Sequence, residues 1–170
     1  GSFGNLTEVD KVDIEGFTFR SWGDGKPHNR IANLYYTRNS YALQFNNCAK
    51  IDSVSVKFEA PIGSYLPEAS EVKPPVTEDS DSVFAGWYTA PVGGEKIDPD
   101  TTMPSHVVQV YAHWEKAKYD VSYETNRDWI TYPAETLEKG AEITTPKVTE
   151  EGFLGWYTDS NFEHAFVPGT

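Results

Sequence analysis

The chain has 170 residues, and its 14 Lys and Arg against 26 Asp and Glu give a formal charge of −12. Such a field disfavours nucleic acid and anionic membrane surfaces as partners. No run of about 18 apolar residues suits insertion into a bilayer, and a single cysteine, Cys48, excludes an intramolecular disulfide.

Taken in order, the chain reads as strands separated by turns. Glu15-Gly16-Phe17-Thr18-Phe19 leads into Trp22, and Ile31-Ala32-Asn33-Leu34-Tyr35-Tyr36 follows as a second strand. Tyr41, Leu43 and Phe45 alternate with smaller or polar residues, as do Val54, Val56 and Phe58, the period-two pattern of half-buried strands. Leu66 to Val72, closed by Pro74-Pro75, is the one helix candidate, and it is short. Phe84-Ala85-Gly86-Trp87-Tyr88-Thr89 is a further strand, and Val108, Val110, Ala112 and Trp114 alternate along another. Tyr119, Val121 and Tyr123 repeat the alternation. Turn formers lie between these runs, at Pro61-Ile62-Gly63, Pro91-Val92-Gly93-Gly94, Asp98-Pro99-Asp100 and Pro168-Gly169.

The chain repeats itself. Phe84 to Thr89 returns as Phe153-Leu154-Gly155-Trp156-Tyr157-Thr158, 69 positions later (87 to 156), and a weaker copy, Phe19-Arg20-Ser21-Trp22, lies upstream. Residues 1–40 read as the C-terminal half of a module and 41–114 as a complete one. Residues 115–118 read as a short charged linker, and 119–170 as a module without its last strand. The repeat marks are Trp22, Phe84, Gly86, Trp87, Trp114, Phe153, Gly155 and Trp156. A module of about 70 residues buries only about 60% of its unfolded surface, so large rings must supply much of its core. Short junctions without Gly and Ser richness predict a restricted angle between neighbours. An exposed strand edge at the last module predicts head-to-tail exchange with the strand at Ile31 to Tyr36 of another molecule.

The string Phe-x-Gly-Trp-Tyr-Thr, followed by Met103-Pro104-Ser105-His106-Val107-Val108-Gln109-Val110-Tyr111-Ala112-His113-Trp114, resembles the Listeria–Bacteroides repeat, also called the internalin B-repeat. Tyr119 to Asn126 resembles the family's opening strand, with Arg127-Asp128 in place of its usual glycine pair. In the upstream copy Ser21 replaces the glycine. The resemblance implies tandem small β-grasp, ubiquitin-like modules, mostly β or α+β, with mixed sheets and a short helix or loop crossover. It also implies an extracellular, cell-wall-associated segment of a bacterial surface protein, Gram-positive by habit, that projects or presents a binding region. The complete module carries about eight more residues than its successor, between Glu68 and Asp81.

No residue set reads as an active site. His28, His106, His113 and His164 lack zinc-ligand spacing, and His113 falls on the polar face of its strand. Asp98, Asp100, Asp79 and Asp81 do not fit a calcium loop. Cys48 has no activating partner in the sequence. The expectation is therefore no catalysis, no metal and no cofactor. Under strict alternation Trp87 opposes Phe84 and Tyr88, so either a bulge at Gly86 turns its ring into the core or the ring covers the neighbouring backbone; the functional alternative is an exposed platform for a sugar. Tyr35, Tyr36, Tyr65 and Tyr111 are the remaining candidates for contact with a glycan or host-cell protein.

Overall fold

The computed structural model describes residues 11–22 and 34–168. They form two compact units, divided between Glu115 and Lys116. The chain is mostly β, in small sheets of mixed direction.

The first unit holds six strands: β1 (Phe17–Trp22), β2 (Leu34–Arg38), β3 (Ser40–Asn46), β4 (Val54–Lys57), β5 (Val83–Tyr88) and β6 (Val108–Glu115). β1 and β2 form an antiparallel pair, and the other four make a sheet in the order β4-β3-β6-β5. Its first and last strands, β3 and β6, are central and parallel, while β4 and β5 pair antiparallel on the outside. A parallel pair requires a long crossover, and residues 58–107 provide it.

Alternation does what the sequence predicts. Leu43, Phe45, Val56, Val110 and Ala112 turn to one side and are buried with Trp87. The crossover lays Ile62, Val72 and Met103 over them. Its two arms tie to each other through Glu59 N–H to Met103 O (2.8 Å), Met103 N–H to Ala60 O (2.9 Å) and Ile62 N–H to Thr101 O (2.9 Å). Gly63 is needed where the arms meet, because a Cβ there would lie 2.7 Å from Pro99 O.

Two expectations are corrected. Leu66 to Val72 is no continuous helix; single 3₁₀ turns occupy Gly63–Tyr65 and Ala69–Glu71. Pro67 accounts for the break, since it lacks an N–H and forces the preceding residue to extend, and Leu66 has ψ 127°. Phe58 falls past the end of β4 and packs edge-on against Phe17, with centroids 6.0 Å apart. There it helps bind the β1–β2 hairpin to the module: Asn39 N–H donates to Gly16 O (2.7 Å) and Phe58 N–H to Asn39 O (2.8 Å).

The second unit holds β7 (Lys118–Val121) and β8 (Glu135–Glu138), an antiparallel pair. It matches β3–β4, with Lys139 N–H on Ala117 O (2.7 Å) where Phe58 N–H meets Asn39 O. Of the predicted strand Ile31 to Tyr36, residues 31–33 lie outside the described residues and β2 begins at Leu34.

Gly86 has φ +130°, and a Cβ on it would meet Lys96 Cε at 2.8 Å; Gly155 has φ +129° but its nearest atom is 4.0 Å away. Both Gly→Ala variants should lose about 1–3 kcal/mol from the backbone conformation alone, with Gly86→Ala the more damaging. Amide exchange on β6 and β7 in each variant reads the difference, and an equal effect at both sites would contradict the contact.

Candidate functional site

The signature strand is built around a bulge. Phe84 lies opposite Trp114 and Gly86 opposite His113, so Ala85 and Gly86 together face one residue of β6. The extra residue reverses the alternation beyond it. Phe84 and Trp87, which regular pleating would put on opposite faces, therefore share one, with ring centroids 5.3 Å apart. Phe45 meets the indole at 5.3 Å from β3, and Trp114 meets Phe84 at 5.7 Å. Trp87 is 5% exposed. Its indole N–H, which burial would leave unpaired, donates to Pro67 O at 3.2 Å.

The second unit repeats the ring pair and its carbonyl acceptor, although residues 153–156, expected as a strand, form none, and Tyr157 makes only an isolated bridge to Ala165. Phe153 and Trp156 are 5.5 Å apart, and Trp156 Nε1–H donates to Pro146 O at 3.2 Å. Downstream, Ile97 N–H bonds Trp87 O and Phe166 N–H bonds Trp156 O, both at 2.8 Å. In β1 the register shifts between Phe19 and Ser21, and Phe19 meets Tyr36 edge-on at 5.7 Å. Tyr36 thus stands where Trp114 stands in the complete module. The side chain of Trp22 lies outside the described residues.

The prolines that accept the indoles escaped the sequence reading. The separations differ, 20 residues for Pro67 to Trp87 and 10 for Pro146 to Trp156, because the insertion falls between proline and tryptophan. Alignment of Pro67 with Pro146 would have revealed them.

In the second unit Trp156 is half-buried. Tyr123, Tyr132 and Phe153 surround it at 5.2, 5.7 and 5.5 Å. Tyr123 takes the place of Phe45, and its hydroxyl donates to Glu135 at 2.7 Å, which holds the phenol above its usual range. These rings line an open cleft of about 580 Å³.

The four candidate tyrosines lie on three elements. Tyr35, 53% exposed, and Tyr36 are on β2; Tyr65, 39% exposed, is in the first 3₁₀ turn; Tyr111 is on β6. Tyr36 donates to Val12 O (2.7 Å) and Tyr111 to Gln109 (2.8 Å). His113 differs from expectation: it is half-buried, stacked on Tyr88 at 3.8 Å, with Nε2 2.8 Å from Ala90 O. Burial pushes the Cys48 thiol up, away from thiolate chemistry. Asp98 accepts the Asp100 N–H at 2.9 Å in a local turn. No group of three or more His, Cys, Asp or Glu placed to hold a metal occurs among the described residues. No described helix is long and apolar enough to cross a membrane.

The profile of the Listeria-Bacteroides repeat domain matches residues 41–113 and again 119–170. The chain belongs to that family. It is also similar to two proteins of Evansella cellulosilytica. It is 34% identical over 163 residues, 91% of this chain, to a "Putative membrane protein", and 28% identical over 178 residues, 95% of this chain, to a "Putative Gly-rich membrane protein". The chain spans 24% and 20% of their lengths. No solved structure matches it. Each of the two matched repeats contains one Gly-Trp pair whose indole is tied to a proline carbonyl.

Trp87→Ala should cost about 3–5 kcal/mol, the range for a large ring removed from a core. Trp156→Ala should cost less, because its ring is only half-buried. Urea unfolding followed separately on amides of each unit measures both, and a larger loss for Trp156→Ala would contradict the burial.

Asp159 accepts N–H bonds from Glu163 (3.1 Å), His164 (2.8 Å) and Asn161 (2.9 Å) and faces His164 Nδ1 (3.0 Å), which together hold its carboxyl below the usual range. A lowered folded-state pKa adds stability above the unfolded value and loses it as pH falls through the folded one. The turn 159–164 should therefore hold at neutral pH and loosen only at acid pH, below the ordinary carboxylate range. The His164 amide shift reports this, and a transition only near the titration of histidine would contradict it.

Proposed function

We propose that the chain is a non-enzymatic stalk or adhesin segment of a bacterial surface protein, whose tandem modules hold a distal binding region away from the cell wall. The observation that carries the reading is the repeated use of the signature ring as packing. Trp87 is buried, Trp156 is ringed by three aromatic side chains, and each indole N–H is tied to a proline carbonyl of its own module. A residue repeated in order to build each module sets spacing rather than recognising a ligand.

The junctions support the same role. Asn39 alone separates β2 from β3; its N–H donates to Gly16 O beside the hairpin and its C=O accepts from Phe58 N–H of the module. Lys116 and Ala117 alone separate β6 from β7. Such links limit bending far more than a Gly/Ser tether. The order β4-β3-β6-β5, with a parallel central pair and a crossover of 3₁₀ turns, supports reading the complete module as a small β-grasp.

The glycan- or host-protein-binding alternative loses Trp87, which is buried, and rests on Tyr35, Tyr65 and the partly open face at Trp156. Antibody raised against the 170-residue chain should label intact cells of the producing bacterium, and protease applied to those cells should release the segment. Labelling only after lysis would refute the surface role. Saturable binding on a glycan array that Tyr35→Ala or Tyr65→Ala abolishes, with the fold intact, would favour the binding module instead.

A further inference from the structure

The strands that begin and end the complete module are neighbours and run the same way. β3 opens it at Ser40 and β6 closes it at Glu115, and the two pair in parallel, from Leu43 opposite Val108 to Asn46 opposite Tyr111. The chain enters β3 from β2 through Asn39 alone and leaves β6 for β7 through Lys116 and Ala117. In this register Ser40 and Glu115 lie at opposite ends of the pair, about 33 Å apart along the strands. Tension carried along the polypeptide therefore draws β3 and β6 past each other lengthwise. The hairpin upstream meets the same tension differently. Its strands are antiparallel, with Phe17 opposite Arg38, so the chain enters and leaves it at one end of the pair.

We propose that the complete module is a mechanical clamp: tension along the chain shears the β3–β6 pair as a whole and cannot peel it bond by bond. The hydrogen bonds of a parallel pair are evenly spaced, so a lengthwise pull strains all of them together. Neither strand is an edge, because β4 covers the outer side of β3 and β5 the outer side of β6. Leu43, Val110 and Ala112 on the inner face of the pair are fully buried, which keeps water on that side from replacing the bonds as they stretch. The clamp goes beyond the stalk reading, since it is a property of the module itself.

Side chains extend the seam beyond its ladder. Asn46 Nδ2–H donates to Val110 O at 3.3 Å and Asn47 Nδ2–H to Ala112 O at 2.7 Å, while Trp114 Nε1–H donates back to Asn47 O at 2.8 Å. All three bonds cross from the end of β3 to β6, so shear must break them with the ladder. Asn47 has φ +58°, a conformation that glycine adopts freely. Asn47→Gly therefore removes the amide from the seam without straining the backbone.

The test is single-molecule extension of the 170-residue chain, in a Cys48→Ser background, held at a fixed load in two geometries. Handles at the two termini shear the β3–β6 pair. A handle at Lys50→Cys, an exposed position just past the end of β3, and one at the C-terminus act at the same end of the sheet and peel its strands. With terminal handles the β1–β2 hairpin should open first. The module should then open in one step, its 76 residues from Ser40 to Glu115 lengthening the chain by roughly 230 Å. Its lifetime should be about a hundredfold longer than with the Lys50→Cys handle, because several bonds must break together and each contributes about fivefold in rate. Asn47→Gly should shorten the terminal-handle lifetime about fivefold. Equal lifetimes in the two geometries overturn the proposal. So does a module that opens before the hairpin, or an Asn47→Gly lifetime that is unchanged. Labelling of intact cells reads the surface role separately, so a failed clamp would leave that role standing.

Discussion

Everything in the complete module depends on one extra residue in β5. Without the bulge at Ala85 and Gly86, Phe84 would face the core and Trp87 would face away, and the module would keep only one of its two large rings inside. With it, both rings lie on one side, where Trp87 meets Phe45 and Phe84 meets Trp114. Glycine makes the geometry affordable at φ +130°, where a side chain would also meet Lys96. The same turn brings the indole N–H to Pro67 O, so the bulge fixes the crossover over the sheet as well as the ring beneath it. A module this small has few residues with which to build a core, and a bulge that doubles the ring count is worth a local break in the ladder.

The upstream copy shows which part of the device is indispensable. Ser21 replaces the glycine, yet the register shift is kept, and it is made without a left-handed residue at that position. In β1 and β5 the register shift is thus kept with serine or with glycine at that position. A similar exchange occurs in the turn after the signature. Gly93 has φ +66°, and its counterpart 69 positions on, Phe162, holds φ +60° despite its side chain. Phe162 is held there by its edge-on contact with Tyr157 at 5.4 Å and by a turn organised around the Asp159 carboxylate.

Much of this was legible in the sequence, and the limits have physical causes. The strands announced themselves because one face of each is buried, so Leu43, Phe45, Val110 and Ala112 stand out by alternation. The bulge was legible as a contradiction: strict pleating put a conspicuous tryptophan on the wrong face, and a glycine beside it offered the remedy. The 3₁₀ crossover was not, because a proline in the middle of an apolar run acts through its neighbour's backbone rather than through any periodicity. Phe58 fitted the alternation of β4 but lies one residue beyond its end, where it serves the junction to the preceding hairpin. The stacking of His113 on Tyr88 was equally hidden, since a polar face is read as solvated until something packs on it.

The outer faces and the junctions, not the signature, are where such repeats can differ without losing their fold. At the first junction Phe58 packs on Phe17, and Arg38 adds a cation–π contact to the same ring at 5.5 Å and an ion pair with Glu59 at 3.6 Å. At the matching place in the second unit the residue is Lys139, and the left-handed Glu59 becomes Gly140. The backbone hydrogen bond survives while the aromatic wedge does not. An isolated exposed ion pair adds little, so the ring contact is the larger difference between the two places. Past the end of its second strand each module thus keeps the same backbone hydrogen bond while the side chain there changes from Phe58 to Lys139.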